Sequence, residues 1–172
     1  GGDEDVIKTV AEYFTKSTNC FYDPKNIMLT LGASSGIVLT ALTLLKPGDN
    51  ILCEFPSFLM ASEVYKSLHI NLFPAKRTET CSFNFEELEE SIIKNNIKGF
   101  YLVTSFNNPY GVNLCLEDRE KIYALANKHK FYVFSDDIYE LLYHNEKDRV
   151  TPLYYCNKEI INKSDTKEKL MN

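Results

Sequence analysis

Short apolar runs alternate along this chain with longer amphipathic stretches, and that alternation constrains the fold more than any other feature. Ile51 to Phe55, Ile70 to Phe73, Phe100 to Val103 and Phe131 to Phe134 are strand-like runs, the second closed by Pro74 and the last leading into Ser135-Asp136-Asp137. Ile27 to Leu31 is a further apolar run. Between them, Ser34 to Leu45, Phe58 to Leu68, Phe85 to Lys94 and Leu116 to His129 carry apolar residues at helical spacing, and Asp3 to Ser17 reads as a helix before them all. Lys46-Pro47-Gly48-Asp49 is a helix stop followed by a turn. Strands this short, separated by helices this long, predict βαβ units: an α/β fold with a mostly parallel sheet flanked by helices.

The chain has 172 residues, 44% of them hydrophobic and 25% charged, enough for one sizeable core. A formal net charge of −5 gives no electrostatic footprint for nucleic acid or an anionic membrane, and no apolar run reaches membrane-spanning length. The acidic start, Gly1 to Asp5, is not a signal peptide. The five cysteines, Cys20, Cys53, Cys81, Cys115 and Cys156, are scattered without a Cys-x-x-Cys pair, the usage of a reducing, cytoplasmic setting. His69, His129 and His144 form no metal-spaced cluster with them. Residues 1–150 are expected to form one domain, and residues 151–172, where Lys158, Lys163, Lys167 and Lys169 mix with acids, a polar loop or insertion.

In an open parallel sheet, ligands bind beyond the carboxyl ends of the strands, at helix N-termini. Three segments fall there. Gly32-Ala33-Ser34-Ser35-Gly36 admits three readings: a serine-capped helix start, an anion site built from helix amides, or a G-x-S-x-G nucleophile elbow with His129 or His144 as base. Against the elbow, only 33 residues precede Ser34, too few for the strands and oxyanion loop that come before one. Asn107-Asn108-Pro109-Tyr110-Gly111 is a turn or a ligand loop. Asp136 beside Asp137 is either a helix cap or a carboxylate that holds a cationic ring nitrogen, and a helical turn brings Tyr139 toward the same place.

Taken in order, Leu29-Thr30-Leu31-Gly32-Ala33-Ser34-Ser35-Gly36, Leu45-Lys46-Pro47-Gly48-Asp49, Glu54-Phe55-Pro56-Ser57-Phe58, Asn107-Asn108-Pro109-Tyr110-Gly111 and Ser135-Asp136-Asp137-Ile138-Tyr139 resemble the class I/II aminotransferases, pyridoxal-phosphate-dependent enzymes of fold type I. The resemblance covers Gly2 to Tyr143. It implies part of a fold type I large domain. It implies pyridoxal 5′-phosphate as cofactor, with Ala33 and Ser34 at its phosphate, Phe58 stacked on its ring, Asn108 and Tyr139 donating to its phenolic oxygen and Asp136 paired with its ring nitrogen.

The implied activity is transfer of an amino group from an amino acid to a 2-oxo acid, in a complete protein that is a homodimer. A related pyridoxal-phosphate lyase, or a degenerate member that binds a phosphate ligand or partner without turnover, shares the same motifs. Two departures stand out. Tyr110 replaces the usual threonine. The Ser-x-Ser-Lys motif with the family's catalytic lysine is missing, so that lysine is expected beyond Asn172 and the chain alone is expected to be inactive.

Overall fold

The structure, a computed structural model, describes residues 2–18, 21–145, 149, 152 and 153. The polar segment expected over residues 151–172 lies outside them apart from Pro152 and Leu153, as do Cys20 and Cys156.

Four strands form one parallel sheet: β1 (Asn50–Phe55), β2 (Asn71–Lys76), β3 (Gly99–Val103) and β4 (Tyr132–Asp136), in the spatial order β2-β1-β3-β4. Accompanying them among the described residues are the α-helices α1 (Glu4–Thr18), α2 (Gly32–Leu44), α3 (Leu59–Ser67), α4 (Phe85–Lys94) and α5 (Leu116–His129) and a short 3-10 turn, Pro24–Asn26. No strand forms over Ile27 to Leu31.

The chain travels one way from β1 to β2 and the opposite way from β2 to β3 to β4. Right-handed crossovers then require α3 on one face and α4 and α5 on the other. The core is divided accordingly. Leu52, Phe100 and Leu102 pack with Leu88 and Ile92 of α4 and Ile122 of α5. Ile51, Cys53, Tyr101 and Val103, pointing the other way, pack with Ala41 of α2 and Ala61 and Tyr65 of α3. Every residue of β3 is buried, as a central strand covered on both faces must be.

Local chemistry sets the element ends. Asn84 caps α4, its side-chain oxygen accepting from the N–H groups of Glu86 and Glu87 while its amide donates to Glu87 Oε1 at 2.7 Å. α5 starts on Glu117 and Asp118 and ends on Lys128 and His129, each set opposing the helix dipole at its end. After α2, Gly48 adopts φ +89° and donates to the His69 carbonyl at 2.8 Å, which ties the turn to the end of α3. Gly99 has a different reason: a Cβ there would stand 2.5 Å from Phe134 Cε2.

Pro74 does not end its strand; β2 runs through it to Lys76. β2 is an edge strand. The Asn71 N–H donates to the Asp49 carbonyl at 2.9 Å, and alternation turns the nitrogen of Pro74 away from β1, where no ladder bond is lost.

Candidate cofactor site

Strand order reverses between β1 and β3, and the two part there. β1 stays paired with β2 through Phe55↔Lys76, and β3 with β4 through Val103↔Asp136, but the β1–β3 register stops at Cys53↔Tyr101. The crevice of a doubly wound sheet opens at such a point.

A cavity of about 460 Å³ lies on the α2–α3 side, lined among others by Ala33, Thr40, Tyr65, Tyr101 and Asp136. This is within the usual range for small-molecule sites. Asp136, the last residue of β4, is half-buried and lines the cavity. Its Oδ2 accepts the Tyr101 hydroxyl at 2.7 Å and its Oδ1 accepts the Ile138 N–H at 3.3 Å. A carboxylate oxygen has two lone pairs, so each keeps capacity for a further donor. Burial and then the negative charge of Asp136 push the Tyr101 phenol far above its ordinary range, so it remains a donor. Burial also raises the Tyr65 hydroxyl.

The first half of α2 lines the same cavity through Ala33, Gly36, Ile37 and Thr40. The helix N-cap, Leu31, makes no side-chain capping bond, and Gly32, Ala33 and Ser34 are exposed. Helix amides in the first turn have no intrahelical partner and lie at the positive end of the dipole, the arrangement that binds anions.

Of the residues singled out from sequence, Ala33 and Asp136 line the cavity. Phe58 and Tyr139 are partly buried against the core cluster of Ile51, Tyr65 and Tyr101, on the same face of the sheet. Ser34 is exposed beside Ala33, and Asn108 is exposed on the loop after β3. His129 is bound to Glu89 at the end of α5 and does not serve Ser34.

Three groups of polar residues were not anticipated. Tyr101 holds Asp136. Glu54, buried near the end of β1, pairs with Arg77 and accepts from Val103 and Asn107. Arg119, fully buried, donates to the carbonyls of Leu114 at 2.8 Å and Thr104 at 2.6 Å, and Thr104 bonds Asp137. Tyr101 and Glu54 each put a polar atom inside an apolar run, where burial without a partner is costly, but the run does not say which partner; Arg119 stands in the charged run Glu117 to Lys121 and carries no such signal. Burial pushes the Glu54 carboxyl up, against the pull of Arg77 and the two N–H donors.

Comparison with known proteins follows the same lines. The model of the family "Aminotransferase class I and II" matches residues 1–165. An uncharacterized aminotransferase of Saccharolobus solfataricus is 30% identical over 125 residues, which are 70% of this chain and 31% of that protein. An uncharacterized HTH-type transcriptional regulator of Bacillus subtilis is 29% identical over 70% of this chain and 26% of its own. Thus the chain spans about a third or less of the length of these relatives. Among solved structures, an archaeal alanine:glyoxylate aminotransferase shares the fold with a TM-score of 0.84 at 23% identity, over 92% of this chain and 40% of that one. The pyridoxal-phosphate-bound C–S lyase of Staphylococcus hominis does so at 0.73 and 14% identity, over 80% and 36%.

Proposed function

The chain belongs to the aminotransferase class I and II family, and from that premise we propose that its protein binds pyridoxal 5′-phosphate and moves an amino group from an amino acid to a 2-oxo acid. One observation carries the reading: a single cavity is lined both by Asp136 at the end of β4 and by Ala33 in the first turn of α2, whose N-cap Leu31 makes no side-chain capping bond. Pyridoxal phosphate has the matching groups, a basic ring nitrogen and a phosphate. The residues present therefore fit the group.

When bound, the cofactor supplies an electron-accepting ring. Each residue then has a defined task. Asp136 holds a proton at the ring nitrogen, and Tyr101 keeps its carboxylate in one orientation. The amides of α2, with Ala33 and Ser34, take the phosphate. Phe58 covers the ring face. Asn108 and Tyr139 donate to the phenolic oxygen and stabilise its negative charge. The lysine that moves the proton is proposed to lie beyond Asn172, which leaves this chain alone a binding half without turnover. No lysine lines the cavity among the described residues. The complete protein is proposed to be a homodimer.

Two assays on the complete protein test this. Amino-acid and 2-oxo-acid pairs are screened for exchange of the amino group. Borohydride reduction then fixes the cofactor to the lysine that holds it, for peptide mapping. Amino transfer, with one label outside residues 1–172, is the expected result. Label on Lys158, Lys163, Lys167 or Lys169 would overturn the placement of the lysine. The resemblance to a transcriptional regulator favours a second reading, cofactor binding without turnover; there the cofactor is bound and no pair exchanges. Release of a thiol or ammonia in place of exchange marks a lyase.

A further inference from the structure

We infer that Glu54 is the positioning residue for the loop that carries Asn108. The inference rests on the reading above in one respect, that Asn108 is a cofactor donor.

The need arises from the parting of the central strands. Beyond Cys53↔Tyr101, the facing backbone groups of β1 and β3 have lost their ladder, and a buried N–H there must find another acceptor. Glu54 supplies it. Its Oε2 accepts the Val103 N–H at 3.0 Å and the Asn107 side-chain amide at 2.8 Å. Its Oε1 pairs with Arg77 Nε, and Arg77 Nη1 donates to the Cys81 carbonyl. Glu54 and Asn107 are buried, as is the Arg77 side chain.

Asn107 passes this anchorage to the loop. Its N–H donates to the Val112 carbonyl at 2.9 Å, its carbonyl accepts the Gly111 N–H, and its Oδ1 accepts the Tyr110 N–H at 3.4 Å. The loop on both sides of Asn108-Pro109 is thereby tied to one residue, Asn107, through two backbone bonds and one side-chain bond, and the Asn107 side chain ends on Glu54. Below, Arg119 and the Leu114 N–H both bind the Thr104 carbonyl and fix the base of the loop.

The chemistry explains why a carboxylate stands here. Two donors converge on one oxygen and a guanidinium meets the other, so both oxygens must accept, and the negative charge strengthens all three bonds. Glutamine of the same shape keeps one acceptor and turns an NH₂ group against Arg77.

The test uses the complete protein, with pyridoxal phosphate as the probe. Two quantities are measured: its dissociation constant, and the pH midpoint of the bound chromophore's visible band. The variants are Asn108→Ala, Asn107→Ala, Glu54→Gln, and the latter two combined with Asn108→Ala. Glu54→Gln and Asn107→Ala are each expected to weaken binding roughly 5- to 20-fold. They should move the midpoint in the direction Asn108→Ala moves it, and add little once Asn108 is gone. Asn107→Ala keeps the Glu54–Arg77 pair and the Val103 bond and removes only the side-chain link from Glu54 to the loop, so it tests that link if Glu54→Gln does not fold. Wild-type binding and midpoint in Asn107→Ala, beside a perturbed Asn108→Ala, overturn the inference alone. Full additivity does the same. An unperturbed Asn108→Ala overturns the cofactor role of Asn108 and the inference with it.

Discussion

The Tyr101 hydroxyl reaches Asp136 Oδ2 at 2.7 Å diagonally across the β3–β4 pair, because Val103, two residues on, is the register partner of Asp136. Side chains two apart on a strand share a face, so the parallel register alone brings a buried phenol to the carboxylate at the strand's end. Tyr101→Phe keeps the ring and its edge-on packing with Tyr65 but removes the donor. The expected loss is about 1–2 kcal/mol of unfolding free energy, since a hydrogen bond to a charged group is involved and Asp136 is only half-buried. Denaturant unfolding measures it. Unchanged stability would show that the hydroxyl is incidental.

Asp136 itself is separable from its neighbours by charge and reach. In the complete protein, Asp136→Ala should strongly reduce amino transfer, since it removes the negative charge proposed to hold the proton at the ring nitrogen. Asp136→Glu keeps the charge at a longer reach and should do less damage. Steady-state rates for the two variants, alongside pyridoxal phosphate affinity, check the order. Equal activity in both would remove Asp136 from the site.

The strands and helices were legible because periodicity is local. Phe85 to Lys94 and Leu116 to His129 form the helices expected from their apolar spacing, and the runs at Ile51, Phe100 and Phe131 share one parallel sheet. Pro74 misled because its effect depends on which edge faces solvent, a property of the sheet and not of the residue. The motif residues Ala33 and Asp136 come together at one cavity because both stand where elements begin or end. The partners Tyr101, Glu54 and Arg119 were not legible. Their roles depend on register and on the parting of β1 and β3, which no single segment encodes.

Gly99 opens β3 against β4 with no room for a side chain: a Cβ would stand 2.5 Å from Phe134 Cε2 and 3.2 Å from Ile51 Cγ2. Gly99→Ala should therefore destabilise by about 1–3 kcal/mol, the usual cost of overpacking a core. The substitution acts at the amino end of the strand, opposite the site. Cofactor affinity per folded molecule should stay unchanged while the denaturation midpoint falls.

The Arg77 guanidinium lies over the Phe83 ring at 5.1 Å as well as against Glu54. Arg77→Leu leaves the buried Glu54 carboxylate without its cation and should destabilise by about 3–5 kcal/mol. Glu54→Leu in the same background removes the stranded charge and should recover part of that loss, although Val103 and Asn107 then lack their acceptor. A double-mutant cycle in denaturant gives the coupling. Simple additivity would show that the pair does not interact.

Glu140 offers a test by pH. It is buried, its Oε1 has no hydrogen-bond partner among the described residues, and Arg149 Nη2 is 4.0 Å away. Burial foremost, then the nearby Asp137 charge, raise its carboxyl above the ordinary range, and Arg149 and Arg119 only partly oppose them. A carboxyl whose folded value is raised favours the folded state most when protonated. Its contribution is complete below the unfolded value of about 4.3 and is lost as pH rises through the folded value. Glu140→Gln has no such titration. The stability of Glu140→Gln relative to wild type should therefore climb as pH is raised from about 4 and level off once wild-type Glu140 is ionised. Chemical denaturation at closely spaced pH values reads the slope. A difference that falls with rising pH would mean that Arg149 and Arg119 outweigh burial at this position.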